Sequence, residues 1–179
     1  ALAALENFPE AEVQFRSALT INEATHGAIH SRVAGNLANM GWMKIEQTAP
    51  AEARPLLLDA LNRQQQIFDG DHPQVAYTLH HLGRAALLEE DLEAAEDWLT
   101  RALQMRDVLF DADHPTLADT HLMLANLKEA AGDTQAAIDH LQTVLRIRDQ
   151  RNPLSDDSRS ALTERLSGLQ AASSDQGGP

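Results

Sequence analysis

The tripeptide Asp71-His72-Pro73 returns 42 residues later as Asp113-His114-Pro115, and the residues behind it return at the same offset. Val75 pairs with Leu117, Ala76 with Ala118, Thr78 with Thr120 and Leu82 with Leu124. Further on, Asp91 pairs with Asp133, Ala94-Ala95 with Ala136-Ala137, Leu99 with Leu141, Leu103 with Leu145 and Arg106-Asp107 with Arg148-Asp149. Roughly a third of the 42 positions are identical, where chance would leave only about two or three. One period earlier stand His30, Val33, Ala34, Leu37, Met40, Gly41, Ala53, Leu57, Ala60 and Leu61. A further step back leaves half a copy at Ala11, Phe15, Ala18, Leu19 and Ile21. A chain built this way buries its apolar surface piecewise, each unit against the next.

Each copy reads as two helices. Val75, Ala76, Leu79, Leu82, Gly83 and Ala86 fall at three-and-four spacing, and so do Leu92, Ala95, Leu99, Ala102, Leu103 and Phe110. Between them Glu89-Glu90-Asp91 becomes Ala131-Gly132-Asp133 in the next copy, which marks a turn. The His-Pro pair suits a helix entrance, since proline is tolerated where its missing N–H would be unpaired anyway. Pro55 lies near enough to the start of its helix not to break it. No segment alternates with period two over a useful length, so no strand is expected. Gly41, Gly83 and Ala125 occupy one position of successive first helices, and Ala53, Ala95 and Ala137 follow twelve residues later. Side chains this small let two helix backbones come close, with Leu57, Leu99 and Leu141 filling the space beside them.

Composition removes several function classes. With 43% hydrophobic residues the chain is of the soluble globular kind. It has no cysteine, which excludes disulfides, thiolate metal sites and a cysteine nucleophile. A formal net charge of −13 argues against a nucleic-acid partner, because phosphates are neutralised by clustered Lys and Arg. No apolar run approaches the roughly 18 residues of a membrane span, so no membrane partner is expected. The chain begins Ala1-Leu2-Ala3-Ala4, with neither Met nor a basic n-region. It therefore reads as a fragment of a longer protein, without a signal peptide and placed in the cytoplasm.

The series Gly83, Ala95, Leu99 and Ala102 resembles the tetratricopeptide repeat. The 42-residue period and its Asp-His-Pro opening resemble the longer variant of kinesin light chains. There a copy runs roughly HPxVAxxLNNLAxxxxxxGxxxxAxxxxxxAL, and residues 72–103 read HPQVAYTLHHLGRAALLEEDLEAAEDWLTRAL. The resemblance spans about residues 1 to 153. It implies an all-α fold, a right-handed α-solenoid of stacked antiparallel helix pairs. The array would occupy 1–172: a partial repeat at 1–28, full repeats at 29–70, 71–112 and 113–153, and a capping helix at 156–171. Ala1 to Glu6 would be the last turns of a first helix. Leu162, Leu166 and Leu169 would face inward from the capping helix, with Arg159, Glu164, Arg165 and Gln170 toward water. The polar, Gly-rich residues 173–179 are expected to be disordered.

Eight histidines and many carboxylates require a search for chemistry. His26 and His30 are four apart, but Gly27 sits between them at a turn, which makes a shared helical face doubtful. His72 and His114 hold equivalent positions at helix entrances and read as structural. His80 and His81 are adjacent and point in different directions, so they form no simple chelate. No HExxH, phosphate loop or GxSxG motif is present, and no Ser/His/Asp grouping stands out. The chain is expected not to be an enzyme and to carry no cofactor and no metal. Trp98, beside Leu99 on a second helix, reads as packing.

The resemblance also implies where binding would occur. First helices of successive pairs line a concave groove that takes peptides. By that analogy Gly35, Ala38, Asn39, Trp42, Ile45 and Glu46 belong to it, followed by Tyr77, His80, His81, Arg84 and Leu88. The last full copy adds Asp119, Leu122, Met123, Asn126 and Glu129. Kinesin-light-chain-like repeats hold the ligand backbone with an Asn-Asn pair, since an amide both donates and accepts. Only Asn39 keeps the second Asn, so the groove of this chain is more apolar than the family's. Tyr77, Trp42, Leu122 and Met123 would anchor a protein segment, with Arg84 and Asn126 fixing it. Part of the same set could instead pack between neighbouring first helices. A basic or mixed-charge partner would associate fastest with so acidic a chain. The alternative is a structural or oligomerisation arm attached to a signalling domain such as a kinase or ATPase. It would act through the convex face or self-associate through an open N-terminal end at Leu2 and Leu5.

Overall fold

The computed structural model describes residues 8–151 and 155–176, and every regular element among them is an α-helix. They are α1 (Phe8–His26), α2 (Ser31–Glu46), α3 (Pro50–Ile67), α4 (Pro73–Leu88), α5 (Leu92–Leu109), α6 (Pro115–Ala130), α7 (Thr134–Arg151) and α8 (Asp156–Gln176). The period is visible in the lengths, since α2, α4 and α6 each have 16 residues and α3, α5 and α7 each have 18. The all-α repeat fold implied by the sequence is what the chain adopts.

Each first helix starts in the same way. His30, His72 and His114 are extended residues whose rings accept the backbone N–H two positions on, from Arg32, Gln74 and Thr116. Histidine is not a usual N-cap, but a neutral imidazole carries one acceptor nitrogen. Here that atom is Nδ1, 3.1 Å from Gln74 N in the middle case, which leaves the proton on Nε2. A second ring, four residues earlier, fixes the orientation. His26 stacks on His30 at 4.3 Å, Phe68 on His72 at 3.5 Å and Phe110 on His114 at 4.2 Å. Pro73 and Pro115 then occupy the opening turns of α4 and α6, where no N–H is missed.

The turn inside each pair also repeats. Thr48, Glu90 and Gly132 stand 42 apart and all have positive φ, at 54°, 60° and 77°. Around Glu90, the Asp91 N–H donates to the Ala86 carbonyl at 2.9 Å and the Glu90 N–H to the Leu87 carbonyl at 3.1 Å. This is a Schellman arrangement, which satisfies carbonyls that the helix end would leave unpaired. Asp91 and Asp133 then cap the second helices, each accepting through Oδ1 from an alanine N–H at 3.1 Å. Only Gly132 enters the left-handed region without a Cβ cost, so the first two turns are held against a local preference. Pro55 lies in the second turn of α3, and the helix continues past it to Ile67.

Contacts divide the chain into two units, Ala1–Ala102 and Leu103–Pro179. In the first, α1 packs on α2, α2 on α3 and α3 on α4, and α2 also touches α4. Its core joins Val33, Leu37 and Ala38 of α2 to Ala60 of α3, with Leu19, Leu56 and Tyr77 against them. Arg63 ties the loop before α2 to α3, donating to the Ala28 carbonyl at 2.8 Å and to Asp59 at 2.9 Å. In the second unit α6 packs on α7 and α7 on α8. Leu117 and Ala118 meet Val144 and Ile147 there, with Leu103, Leu122 and Leu162 around them.

The C-terminal helix corrects one expectation. α8 runs to Gln176, so residues 173–176 are helical rather than disordered. Residues 1–7, including Ala1 to Glu6 with Leu2 and Leu5, lie outside the described residues, as do 152–154 and 177–179.

The small residues hold the pairs close. A Cβ built on Gly83 would stand 2.5 Å from Leu99 Cγ and 3.3 Å from the Leu99 backbone nitrogen, and on Gly41 it would meet Leu57 Cγ at 2.5 Å. Gly83→Leu is therefore expected to destabilise by about 3 kcal/mol, and Gly83→Ala by about 1 kcal/mol, because the copy at Ala125 already accommodates one methyl. Urea unfolding measures both, and an unchanged midpoint for Gly83→Leu would refute the close approach.

Candidate protein-binding face

In the N-terminal unit the groove residues sit on α2 and α4, whose register is set by their histidine caps. Capping of the Gln74 N–H by His72 fixes where α4 begins, and with it the positions of Pro73, Gln74 and Tyr77. These three, with Gly35, Ala38 and Asn39 of α2 and Gln64 of α3, enclose a cleft of about 300 Å³. Gly35 widens it, because a Cβ there would meet nothing within 4 Å. The structure thus brings Asn39 and Tyr77 together around one space. Arg84 lies further along α4 and donates to Glu46 of α2 at 2.9 Å, both side chains remaining about a quarter to a third exposed. Trp42 is half-buried on α2.

His80 and His81 are not open groove residues. They are only 6% and 5% exposed, and their rings meet edge to face at 5.1 Å, with Tyr77 edge-on to His81 at 4.3 Å. The family analogy assigned both to the groove; their positions on α4 are instead buried, and an imidazole is apolar enough over most of its surface to pack there.

A second cleft of the same unit, about 720 Å³, lies where α1, α2 and α3 meet and is bordered by Arg16, Met40, Lys44, Glu52 and Pro55, among others. Lys44 is 8% exposed overall, and its ammonium lies 2.9 Å from Glu52 and 3.0 Å from Glu12. The hydrogen bonds Lys44 donates to Glu52 and then to Glu12 raise its pKa, and those that Glu12 accepts from Arg16 and then from Lys44 lower that of Glu12. The apparent anionic surplus is thus partly consumed in holding α1 onto the pair behind it.

In the C-terminal unit the remaining residues of the expected face lie against α8. Leu122 packs with Leu162 of α8 on the Leu117–Ile147 cluster. Arg165, expected to face water, donates to Asn126 at 2.6 Å and to Glu129 at 2.8 Å. A guanidinium satisfied by an amide oxygen and a carboxylate at once is a strong latch. It spends Asn126 on the chain's own last helix, and Met123 stays half-buried beside it. His121 of α6 meets His140 of α7 with Nδ1 atoms 2.9 Å apart, so one ring must donate and the other accept. Burial, then the neighbouring His140, pushes the His121 pKa down to about 4, and burial also lowers that of His140. Among the described residues no three His, Cys, Asp or Glu side chains converge as metal ligands, and no helix is long and apolar enough to cross a membrane.

Sequence reasoning missed Gln64 and the ring stacks, and it placed Arg165 toward water rather than on Asn126 and Glu129. The stacks were signalled by aromatic rings at 26, 68 and 110, in step with the histidines at 30, 72 and 114.

Known proteins give the fold a context. A family model for the tetratricopeptide repeat matches residues 43–107 and 90–150, and a second tetratricopeptide model matches 1–32. Among solved structures, BtubC (BKLC) from P. vanneervenii is similar with a TM-score of 0.71 at 24% identity, over 83% of this chain and 59% of its own. The chain thus spans about three fifths of that protein. A putative kinesin light chain from Podosopora anserina, with nearly identical TPR-like repeats, gives a TM-score of 0.68 at 18% identity, over 93% and 88% of the two chains. A variant of that same protein, with one glutamine replaced by methionine, gives 0.69 at 18% identity, over 94% and 89%. No curated protein matches the chain.

The histidine pair generates a pH prediction. An unfolded histidine titrates near 6.5, whereas folded His121 resists its proton to about 4. As pH falls through that window the unfolded state binds protons that the folded state refuses, so stability drops, by at most about 1.4 kcal/mol per pH unit for one group. The melting temperature should therefore fall more between pH 6.5 and 4.5 in the native chain than in His121→Gln. Parallel curves would show that the pair carries no such penalty.

Proposed function

From a chain that belongs to the tetratricopeptide repeat family, an interaction scaffold by fold, we propose a protein-binding module that grips an extended segment of another protein. The segment lies along the face of α2 and α4 in the N-terminal unit. The observation that carries this is the cleft between those helices, where Asn39, Gln74 and Tyr77 offer amide groups and an aromatic wall around an opening widened by Gly35 and Ala38. A polar amide beside an aromatic ring supplies orientation and contact area together, which is what segment recognition requires. Arg84 and Glu46 extend the face with a paired charge of each sign. The net charge of −13 favours a basic or mixed-charge segment and makes association faster at low salt.

The role of Leu122, Met123 and Asn126 is reduced in this reading, because Arg165 and Leu162 already engage that surface. The proposal places no catalytic step in the chain and requires no cofactor.

One observation favours a second reading, a structural or oligomerisation arm. α1 buries none of its residues, and Val13 and Ile21 are 61% and 64% exposed. Apolar positions left open on a helix invite another subunit or domain.

A peptide array carrying basic, acidic and mixed-charge segments separates the two. The groove reading expects captured peptides to be basic or mixed, to weaken with added salt, and to lose at least tenfold in affinity with Asn39→Ala/Arg84→Ala while the thermal melt stays nearly unchanged. Undiminished binding by that variant would overturn it. Concentration-dependent sedimentation abolished by Val13→Glu/Ile21→Glu would instead establish the arm.

A further inference from the structure

The link between α3 and α4 holds the one aspartate of the chain that precedes a glycine, Asp69-Gly70, and no asparagine precedes one anywhere. Both residues are exposed. Gly70 has a φ of 84°, and a Cβ built on it would meet nothing within 4 Å. Among the described residues nothing bonds to or pairs with the Asp69 carboxylate, and no carbonyl accepts the Gly70 N–H. The two equivalent links differ. Before α6, alanine follows Asp111, and the Asp111 carbonyl accepts from the His114 N–H at 2.8 Å. Before α2, Gly27 stands where Asp69 does, and its N–H donates to the Glu23 carbonyl at 2.9 Å. Of the three links, only the one before α4 joins a free carboxylate to a free backbone nitrogen that no Cβ shields.

We propose that Asp69 is a site of spontaneous covalent modification, the isomerisation of its peptide bond to Gly70 through a cyclic imide. The Gly70 nitrogen attacks Asp69 Cγ. An N–Cγ bond forms, and the carboxyl hydroxyl leaves with the amide proton as one water. Water then adds to the main-chain carbonyl carbon of Asp69 and breaks its bond to nitrogen. The product has the original mass, but its main chain runs through Cβ and Cγ, and the former main-chain carbonyl has become a free carboxylate. Water is the only co-reactant. Ring closure brings Cγ against the next backbone nitrogen, an approach that glycine allows and a following Cβ obstructs. A nitrogen whose proton is held by a carbonyl, as in the link before α2, is withheld from the same attack. The position gives the change a consequence. Asp69, Gly70 and Asp71 join two stacked rings, Phe68 and His72, whose centroids lie 3.5 Å apart. His72 Nδ1 in turn accepts the Gln74 N–H at 3.1 Å. One added carbon in so short a span shifts one ring against the other, and their attraction falls steeply with distance. The isomerised chain therefore loosens the entrance of α4 and leaves the packing of Leu57 over Gly41 intact.

The test uses the full chain, kept folded for several weeks at neutral pH and physiological temperature. Digestion and electron-transfer fragmentation then distinguish the two aspartyl linkages. Isoaspartate should accumulate at 69 to roughly ten times its level at 111, where the alanine Cβ stands in the way. An isoaspartyl O-methyltransferase with labelled S-adenosylmethionine should methylate the aged chain. Asp69→Glu, whose ring would need six members, should stay unlabelled after the same treatment. That variant is expected to fold with an unchanged melting temperature, because nothing pairs with the native side chain. In the isomerised fraction, hydrogen exchange at the Gln74 amide should be several-fold faster than in fresh protein, while exchange around Leu57 stays the same. No isoaspartate at 69, a level there no higher than at 111, or equal labelling of a folded Asp69→Glu overturns the inference. Unchanged exchange at Gln74 in the isomerised fraction overturns the loosening of α4.

Discussion

The packing of a leucine against a residue without a side chain is the contact on which the N-terminal unit depends. Leu57 fills the space over Gly41, and Leu99 fills it over Gly83, each leucine fully buried. A larger residue at either glycine would push the paired helices apart, and dispersion between them decays steeply with distance. Close pairing in turn sets how much of α2 is left to meet α4, and it carries Gln64 of α3 beneath the gap between those two helices. The floor of the cleft is thus placed by a contact that takes no part in lining it.

The caps act on the same site from the other direction. A proline-led helix has few backbone donors to offer at its start, and the histidine ring takes the first available one. Phe68 holds His72 in the plane that makes this possible. The two rings determine the first residue of α4, and the side-chain direction of Gln74 and Tyr77 follows from it at fixed angular steps. Polar substitutions within this constant frame then change what a position does. Arginine at 106 joins its helix to the next one, arginine at 148 pairs with Asp119, and glutamine at 64 joins to nothing.

Much of the architecture was legible in the residues because apolar spacing and the 42-residue offset both act through burial, which tolerates few substitutions. The Gly83–Leu99 contact and the turn at Glu90 could be located from pattern alone. The arrangement of the expected groove residues was legible only in part. Asn39 and Tyr77 share a cleft, but His80 and His81, assigned by analogy with the family's first helices, are buried, because an imidazole can pack on its apolar edge. Asn126, expected on the face, accepts from Arg165, a partner 39 residues away in a helix outside the repeat that no local pattern would reveal. Gln64 escaped notice since a buried amide is ordinary in composition. It becomes unusual only beside Arg106, whose hydrogen bonds no local pattern reveals.

The left-handed residues at 48, 90 and 132 bear on how such a chain can change length. Every copy turns between its two helices through a left-handed residue at the same position, and every first helix opens on a histidine stacked on a ring four residues earlier, so consecutive copies meet at junctions of the same kind. Excising or duplicating one whole period would rejoin ends that already fit. Any other insertion would have to supply a new reversal of its own. Growth by entire modules is therefore the conformationally cheap route, and a departure from the common pattern, such as a glutamine among arginines, changes one copy without disturbing the frame it shares with the others.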